Sequence, residues 1–345
     1  MKRNLILTVA ILAIFFRFSS AQVIYVDVQN GNDAYEGTLQ KPFRTIAKGV
    51  EAANEITVEG AITIKIFPGI YVFSDKVTIK PVSRLNKTSQ CIIEANIMPD
   101  DSSWTPEKMP IIQSISGNNS TTQFAHATGF LVESDHVVIR GLKFLGNPNP
   151  EVAYYYPITR ENPALADLEI SQCYFVAERN SVVIQGGIWA QGKDININHC
   201  IFNGCRNAIL AFENIGGCSI TYNVINDAYE SAFWIGENNE DFEFSNNVIN
   251  GCRYFWVNSY NAKQTYKLKS SVITDNEHYI GKWDNEKYDV VEFKSNDFVE
   301  VDIIKTGKVR LSERTHEAIP RDYLHPLPES VSYGLNAGIF KSDRK

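Results

Sequence analysis

Ile220-Thr221-Tyr222-Asn223-Val224-Ile225 recurs one period later as Phe244-Ser245-Asn246-Asn247-Val248-Ile249. Two earlier copies read Ile170-Ser171-Gln172-Cys173-Tyr174-Phe175 and Ile197-Asn198-His199-Cys200-Ile201-Phe202, and Ile139-Arg140-Gly141-Leu142-Lys143-Phe144 comes before them. Leu268-Lys269-Ser270-Ser271-Val272-Ile273 and the stretch Phe293 through Phe298 continue the series more loosely. The key position falls at Leu142, Cys173, Cys200, Asn223, Asn247, Ser271 and Asp297, with gaps of 31, 27, 23, 24, 24 and 26 residues. A period of this length marks a repeat architecture.

Within each unit, apolar residues alternate over short runs separated by Gly, Asn or Asp, which predicts strands joined at corners. Units that stack rather than pair as hairpins form a solenoid whose rungs bury one another's inner faces. The small or polar residue at the fixed corner then stacks on its counterparts at about 4.8 Å, and stacked Asn side chains can bond as a ladder. Cys173 and Cys200 read as small buried members of that stack rather than as a disulfide pair.

The entry segment is more specific. It reads Ile24-Tyr25-Val26-Asp27, Asn30-Gly31-Asn32-Asp33, Gly37-Thr38 and Lys41-Pro42-Phe43-Arg44-Thr45-Ile46, and closes with Ile66-Phe67-Pro68-Gly69-Ile70-Tyr71. With the repeat, it resembles the right-handed parallel β-helix proteins of the pectin-lyase-like superfamily, over roughly residues 23–340. The resemblance implies an all-β, single-stranded right-handed parallel β-helix of the secreted bacterial, polysaccharide-active type. It leaves the activity open, because the superfamily holds lyases, hydrolases, epimerases, esterases and binding proteins.

Ile46, Val50 and Ala53 share one face of a short helix from Thr45 to Asn54, suited to covering the open N-terminal end. The sequence predicts one domain over 22–345, with an N-terminal cap over about 22–60 and an irregular C-terminal wrap over about 312–345. Pro320, Pro326 and Pro328 fall in that wrap, which is expected to close the last rung.

Residues 1–21 read as a secretory signal peptide: Lys2 and Arg3, an apolar run from Leu5 to Phe16, and Ser19-Ser20-Ala21 before the cleavage point. The expectation is an exported chain, periplasmic or extracellular, with no later membrane span. The 345-residue chain carries a formal charge of −7, which becomes −7 − 3 = −10 once Lys2, Arg3 and Arg17 are removed. That argues against nucleic acid as a partner. At this size a core forms without staples, so disulfides among the six cysteines are optional. A monomer is expected, with an extended and acidic polysaccharide as its partner.

Between corners, each rung carries a further strand: Gly187 to Gln191, Ala208 to Phe212, Ala232 to Gly236 and Tyr254 to Asn258. With Ile188, Ile209, Phe233 and Phe255 inward, alternation sends Trp189, Leu210, Trp234 and Trp256 outward. Three tryptophans on one outer stripe suit sugar rings. Gln191, Asn258 and Arg160 are further substrate-binding candidates, the last in a stretch, Gly146 to Asp167, read as a loop walling the cleft with Tyr154, Tyr155 and Tyr156.

Arg206, Glu230 and Arg253 precede three consecutive rungs at matching positions, with the arginines about 9–10 Å apart. Such arginines suit β-elimination on a uronic-acid glycan, pairing with the carboxylate while Tyr229 or Lys193 moves the proton. The resemblance implies calcium in some such lyases; no calcium motif is present, so the ion would need scattered acids such as Asp227, Glu230 and Glu237. Two readings stand beside the lyase. One is a glycoside hydrolase using two carboxylates from Glu213, Asp227, Glu230 and Glu237. The other is a non-catalytic glycan-binding surface protein. Metal-spaced His or Cys pairs, a phosphate loop and a GxSxG elbow are all absent from the sequence. His199 reads as structural.

Overall fold

The repeat in sequence is a repeat in backbone conformation. The residue before each key position adopts positive φ: Gly141 at 73°, Gln172 at 54°, His199 at 52°, Tyr222 at 58°, Asn246 at 56° and Ser270 at 43°. One left-handed residue bends the chain sharply enough to end one strand and begin the next two residues on. The key residue then points inward, and Leu142, Cys173, Cys200, Asn223, Asn247 and Ser271 are all buried.

The ladder forms where the side chains permit it. Asn223 Oδ1 accepts from the Cys200 amide at 2.9 Å, and Asn223 Nδ2 donates to Ile197 O at 3.0 Å and Asn247 Oδ1 at 3.1 Å. Asn247 Nδ2 donates to Ile220 O at 2.8 Å, and Ser271 Oγ accepts from the Asn247 amide at 3.0 Å.

The computed structural model describes residues 22–236, 242–258, 265–294 and 298–342. The predicted signal peptide, Glu237 and the Asp297 corner lie outside the described residues. The chain is a parallel β-helix of three sheets. A ten-stranded first sheet runs from Gln22–Val26 to Phe298–Val301, and an eight-stranded second sheet from Ile70–Phe73 to Val272–Thr274. A nine-stranded third sheet starts at Val77–Ile79 and ends in the antiparallel hairpin His278–Asp284 with Asp289–Glu292.

One apolar core runs inside the coil from Ile24 to Ile273. Phe144, Phe175 and Phe202 stack through it with centroids 5.0 and 4.6 Å apart. The helix Ile46–Asn54 covers the first rung with Ile46, Val50 and Ala53 buried, and Thr45 caps it by accepting from the Lys48 amide. All six cysteines are buried free thiols. Burial pushes Cys91 and Cys252 up to about 12.

Two expectations are corrected. Asp302 is the left-handed residue of the last rung at φ 56°, and Lys269 pairs with Val301, so Ile303 rather than Asp297 stands in register with Ser271. The intervening hairpin lengthens that interval. Tyr155–Arg160, expected in a loop, is a strand of the third sheet. The C-terminal segment runs back along the second sheet. Tyr174 Oη donates to Tyr323 O at 2.7 Å, the Gly338 amide to Tyr222 O at 2.9 Å and the Lys341 amide to Asp100 Oδ1 at 3.0 Å. The outward apolar row Tyr174, Ile201, Val224 and Val248 needs that cover, and Leu324, Ile339 and Phe340 supply it.

Candidate functional site

The third sheet sets the site through its register. Trp189 pairs with Leu210, Leu210 with Trp234 and Trp234 with Val257, which forms the outward row. Ile188, Ile209, Phe233 and Trp256 form the inward row. Trp189 and Trp234 therefore face outward as expected, and Trp256 does not. The Phe-Trp pairs at 233–234 and 255–256 look equivalent, yet ten residues separate Asn223 from Phe233 and nine separate Asn247 from Trp256. That one-residue slip exchanges the faces. Trp256 is fully buried, with its indole N–H donated to Asn258 Oδ1 at 2.9 Å, so Asn258 is a core partner and not a surface contact.

A groove of about 1020 Å³ lies over the outward row. At one end, Trp189 is packed under Phe124, with centroids 5.8 Å apart and planes 2° from parallel, and against Tyr156 at 5.0 Å. At the other end, half-buried Trp234 meets Phe212 at 6.1 Å and Trp283 of the hairpin at 5.7 Å. Tyr154, Phe124 and Tyr288 leave large exposed faces on the rim, the last 83% exposed.

Behind this wall, buried His126 anchors the Phe124 loop. Its Nδ1 lies 2.9 Å from Phe124 O and its Nε2 lies 3.1 Å from Glu161 Oε1. Ser120 Oγ also donates to Glu161. Burial alone would raise the Glu161 pKa, but the hydrogen bonds from His126, Thr122 and Ser120 prevail and hold it below the ordinary value.

Two of the charges in the groove, Arg206 and Glu230, neutralise each other. Glu230 is 3% exposed and accepts from Arg206 Nη2 at 2.6 Å and Asn207 Nδ2 at 2.7 Å. Arg206 Nη1 also donates to Gln185 Oε1 at 3.4 Å. Burial would lower the Arg206 pKa, and the contact with Glu230 more than offsets it. Glu213 lines the same groove and is exposed.

Of the site residues expected from sequence, Trp189, Trp234, Arg206 and Glu230 meet here, with Glu213 of the hydrolase reading. The rest lie elsewhere. Arg253 is held by Asp289 through two contacts of 3.2 Å, and that hydrogen bond raises its pKa. Tyr229 packs under the Arg179 guanidinium at 4.8 Å. Arg160 is fully buried; its Nε donates to Gln191 O at 2.5 Å and its Nη2 to Lys193 O at 2.9 Å, which makes it a clamp between rungs. Burial lowers its pKa to about 10. Gln191 is buried, with Oε1 accepting from the Glu213 amide at 2.7 Å. Lys193 sits at the corner beyond the groove, its carbonyl bound by Arg160. Asp227 lies in a different groove, along the second sheet, so the calcium set of Asp227, Glu230 and Glu237 is not assembled among the described residues. No group of three His, Cys, Asp or Glu among the described residues is placed to hold a metal.

Phe124, Phe212, Trp283 and Tyr288 join the groove without having been expected there. Phe212 directly follows a strand that the repeat did reveal. Phe124 and Trp283 come from a loop and a hairpin that interrupt the repeat, so the period gave no sign of them.

A family model described as a protein of unknown function, DUF1565, matches residues 29–290. No curated protein matches the chain. Among solved structures, pectin methylesterase from Aspergillus niger is similar at 13% identity, covering 83% of this chain and 85% of that chain, with a TM-score of 0.45. A GH136 lacto-N-biosidase from Eubacterium ramulus is similar at 9% identity, covering 83% and 68%, with a TM-score of 0.45. A rhamnogalacturonan lyase is similar at 13% identity, covering 92% and 100%, with a TM-score of 0.37.

Proposed function

The chain belongs to the DUF1565 family, whose description carries no activity, and from its own groove we propose that it binds an extended, neutral carbohydrate along the third sheet. The observation that carries this reading is the outward wall of Phe124, Tyr154, Phe212, Trp234 and Trp283, with Arg206 in the same groove already paired with Glu230 and Trp189 buried beneath Phe124. Aromatic faces lie against the C–H faces of sugar rings, and such a patch on an otherwise polar surface marks a binding site.

Paired charges also bear on the lyase reading. β-Elimination through Arg206 and Arg253 needs a guanidinium open to the uronate carboxylate. Arg206 is engaged by Glu230 and Arg253 by Asp289, so an acidic sugar would have to displace an internal partner. A neutral glycan displaces nothing. Export of the mature chain is part of the proposal, resting on residues 1–21. No helix among the described residues is long and apolar enough to cross a membrane.

Hydrolysis is the second reading, favoured by one observation: Glu213 and Glu230 line the same groove, one exposed and one buried. Two carboxylates flanking a sugar chain are the minimum for acid and base roles. The test is incubation with neutral glycans and measurement of new reducing ends. Hydrolysis predicts their release by the parent, with loss of at least about a hundredfold in Glu230→Gln and Glu213→Gln. Binding without release, weakened in Trp234→Ala, leaves the groove as a binding site alone. Unaltered binding in Trp234→Ala with Trp283→Ala removes the groove from the account.

A further inference from the structure

A second groove of about 830 Å³ lies on a different face, between the outer edge of the second sheet and the returning C-terminal strap. Its floor is a ladder of its own. Asn226 Nδ2 donates to Asn203 Oδ1 at 2.9 Å, Asn250 Nδ2 to Asn226 Oδ1 at 2.9 Å, and Thr274 Oγ1 to Asn250 Oδ1 at 3.4 Å. The three asparagines end successive strands of the second sheet and are half-buried. The carboxamides therefore repeat along the groove at about 4.8 Å. The side-chain Nδ2 of Asn203, at the end of the row, donates to no described residue.

The other wall is the strap. Arg310 and Arg314 line it beside Glu313 and Glu329, and all four are exposed. Among the described residues none of these four side chains makes an ion pair, although both signs are present. The first groove is the reverse, with aromatic walls and a paired Arg206 and Glu230. Tyr174 Oη anchors the strap to the second sheet by donating to Tyr323 O at 2.7 Å, and the Leu327 amide braces the strap internally by donating to Arg310 O at 2.8 Å.

We propose that this groove is a second carbohydrate site, taking a neutral, polyhydroxylated chain by its hydroxyl edges. A hydroxyl both donates and accepts, so it can use guanidinium, carboxylate and carboxamide alike. An acidic chain would face Asp227, Glu313 and Glu329, and a basic one would face the two arginines. The volume suits a few sugar units. The ladder offers a repeating row of polar groups to a repeating polymer. This site is independent of the aromatic groove.

The test uses the full mature chain and calorimetric titration with cellohexaose, xylohexaose, mannohexaose and hexagalacturonate. The parent is compared with Trp234→Ala/Trp283→Ala and with that double variant further carrying Arg310→Ala and Glu329→Ala. The changed strap residues are exposed and make no ion pair, so the variants are expected to fold, and melting temperature checks this. The proposal expects the aromatic double variant to keep one site for a neutral hexasaccharide, weakened about tenfold or more by the strap changes, as lost hydrogen bonds would require. Loss of all binding in the aromatic double variant overturns the second site and leaves the first standing. Retained binding that ignores the strap changes, or preference for hexagalacturonate, also overturns it. Absence of binding by the parent to every sugar overturns both sites.

Discussion

Asn223 holds two rungs with one carboxamide. Its side chain bonds the Cys200 amide, Ile197 O and Asn247 Oδ1 in a fully buried corner. Asn223→Ala leaves a buried N–H and a buried C=O unpaired, so the expected cost is about 2–4 kcal/mol in urea unfolding. Asn223 was legible in sequence because a carboxamide recurring at the same corner of successive rungs can satisfy itself against its own copies. Trp256 was not, because its face depends on a one-residue difference in the preceding connection.

His199 is the neighbouring residue that titrates. Burial, with Lys341 adding repulsion, lowers its pKa to about 4, and its ring stacks on Tyr222 at 4.7 Å. The unfolded chain takes up a proton near the ordinary value of about 6.5 and the folded chain resists it. Stability from this residue is therefore complete above about pH 6.5 and is lost as pH falls toward about 4. The loss is on the order of 3 kcal/mol. His199→Asn, which tolerates the left-handed backbone, is expected to flatten the melting profile across that window. A profile unchanged by the substitution assigns the acid sensitivity to other groups.

At the scale of elements, the strand repeat was readable and its interruptions were not. The hairpin His278–Asp284 with Asp289–Glu292 brings Trp283 to the groove, and a loop brings Phe124. Such insertions obey no period, and their aromatic residues look like any others in sequence. Arg206 and Arg253 show how element context separates residues that the repeat makes equivalent. Arg206 meets a carboxylate that is 3% exposed on the sheet, whereas Arg253 meets half-exposed Asp289 on the hairpin. Arg206→Ala strands the buried Glu230 charge and is expected to cost about 3 kcal/mol. Arg253→Ala removes a surface pair and is expected to cost under about 1 kcal/mol. Denaturant midpoints of the two variants measure the contrast, and equal losses would mean that Glu230 is not the buried partner described.

Over the whole molecule, the repeat and the entry segment disclosed the solenoid and the capping helix, since both are written in local pattern. The course of the C-terminal strap was hidden. Its contacts join residues as far apart as Lys341 and Asp100, which no spacing rule connects. The strap leaves the third sheet free, with its aromatic groove open and Arg206 paired with Glu230 within the protein. The claim that this groove takes neutral sugar chains is tested most directly by titrating the mature protein with cellohexaose, xylohexaose and mannohexaose against hexagalacturonate at low and high salt. The account predicts binding of a neutral hexasaccharide, little changed by salt and weakened about tenfold or more by Trp234→Ala. Tight binding of hexagalacturonate alone, abolished by salt and by Arg206→Ala, would contradict it and restore the acidic-glycan reading.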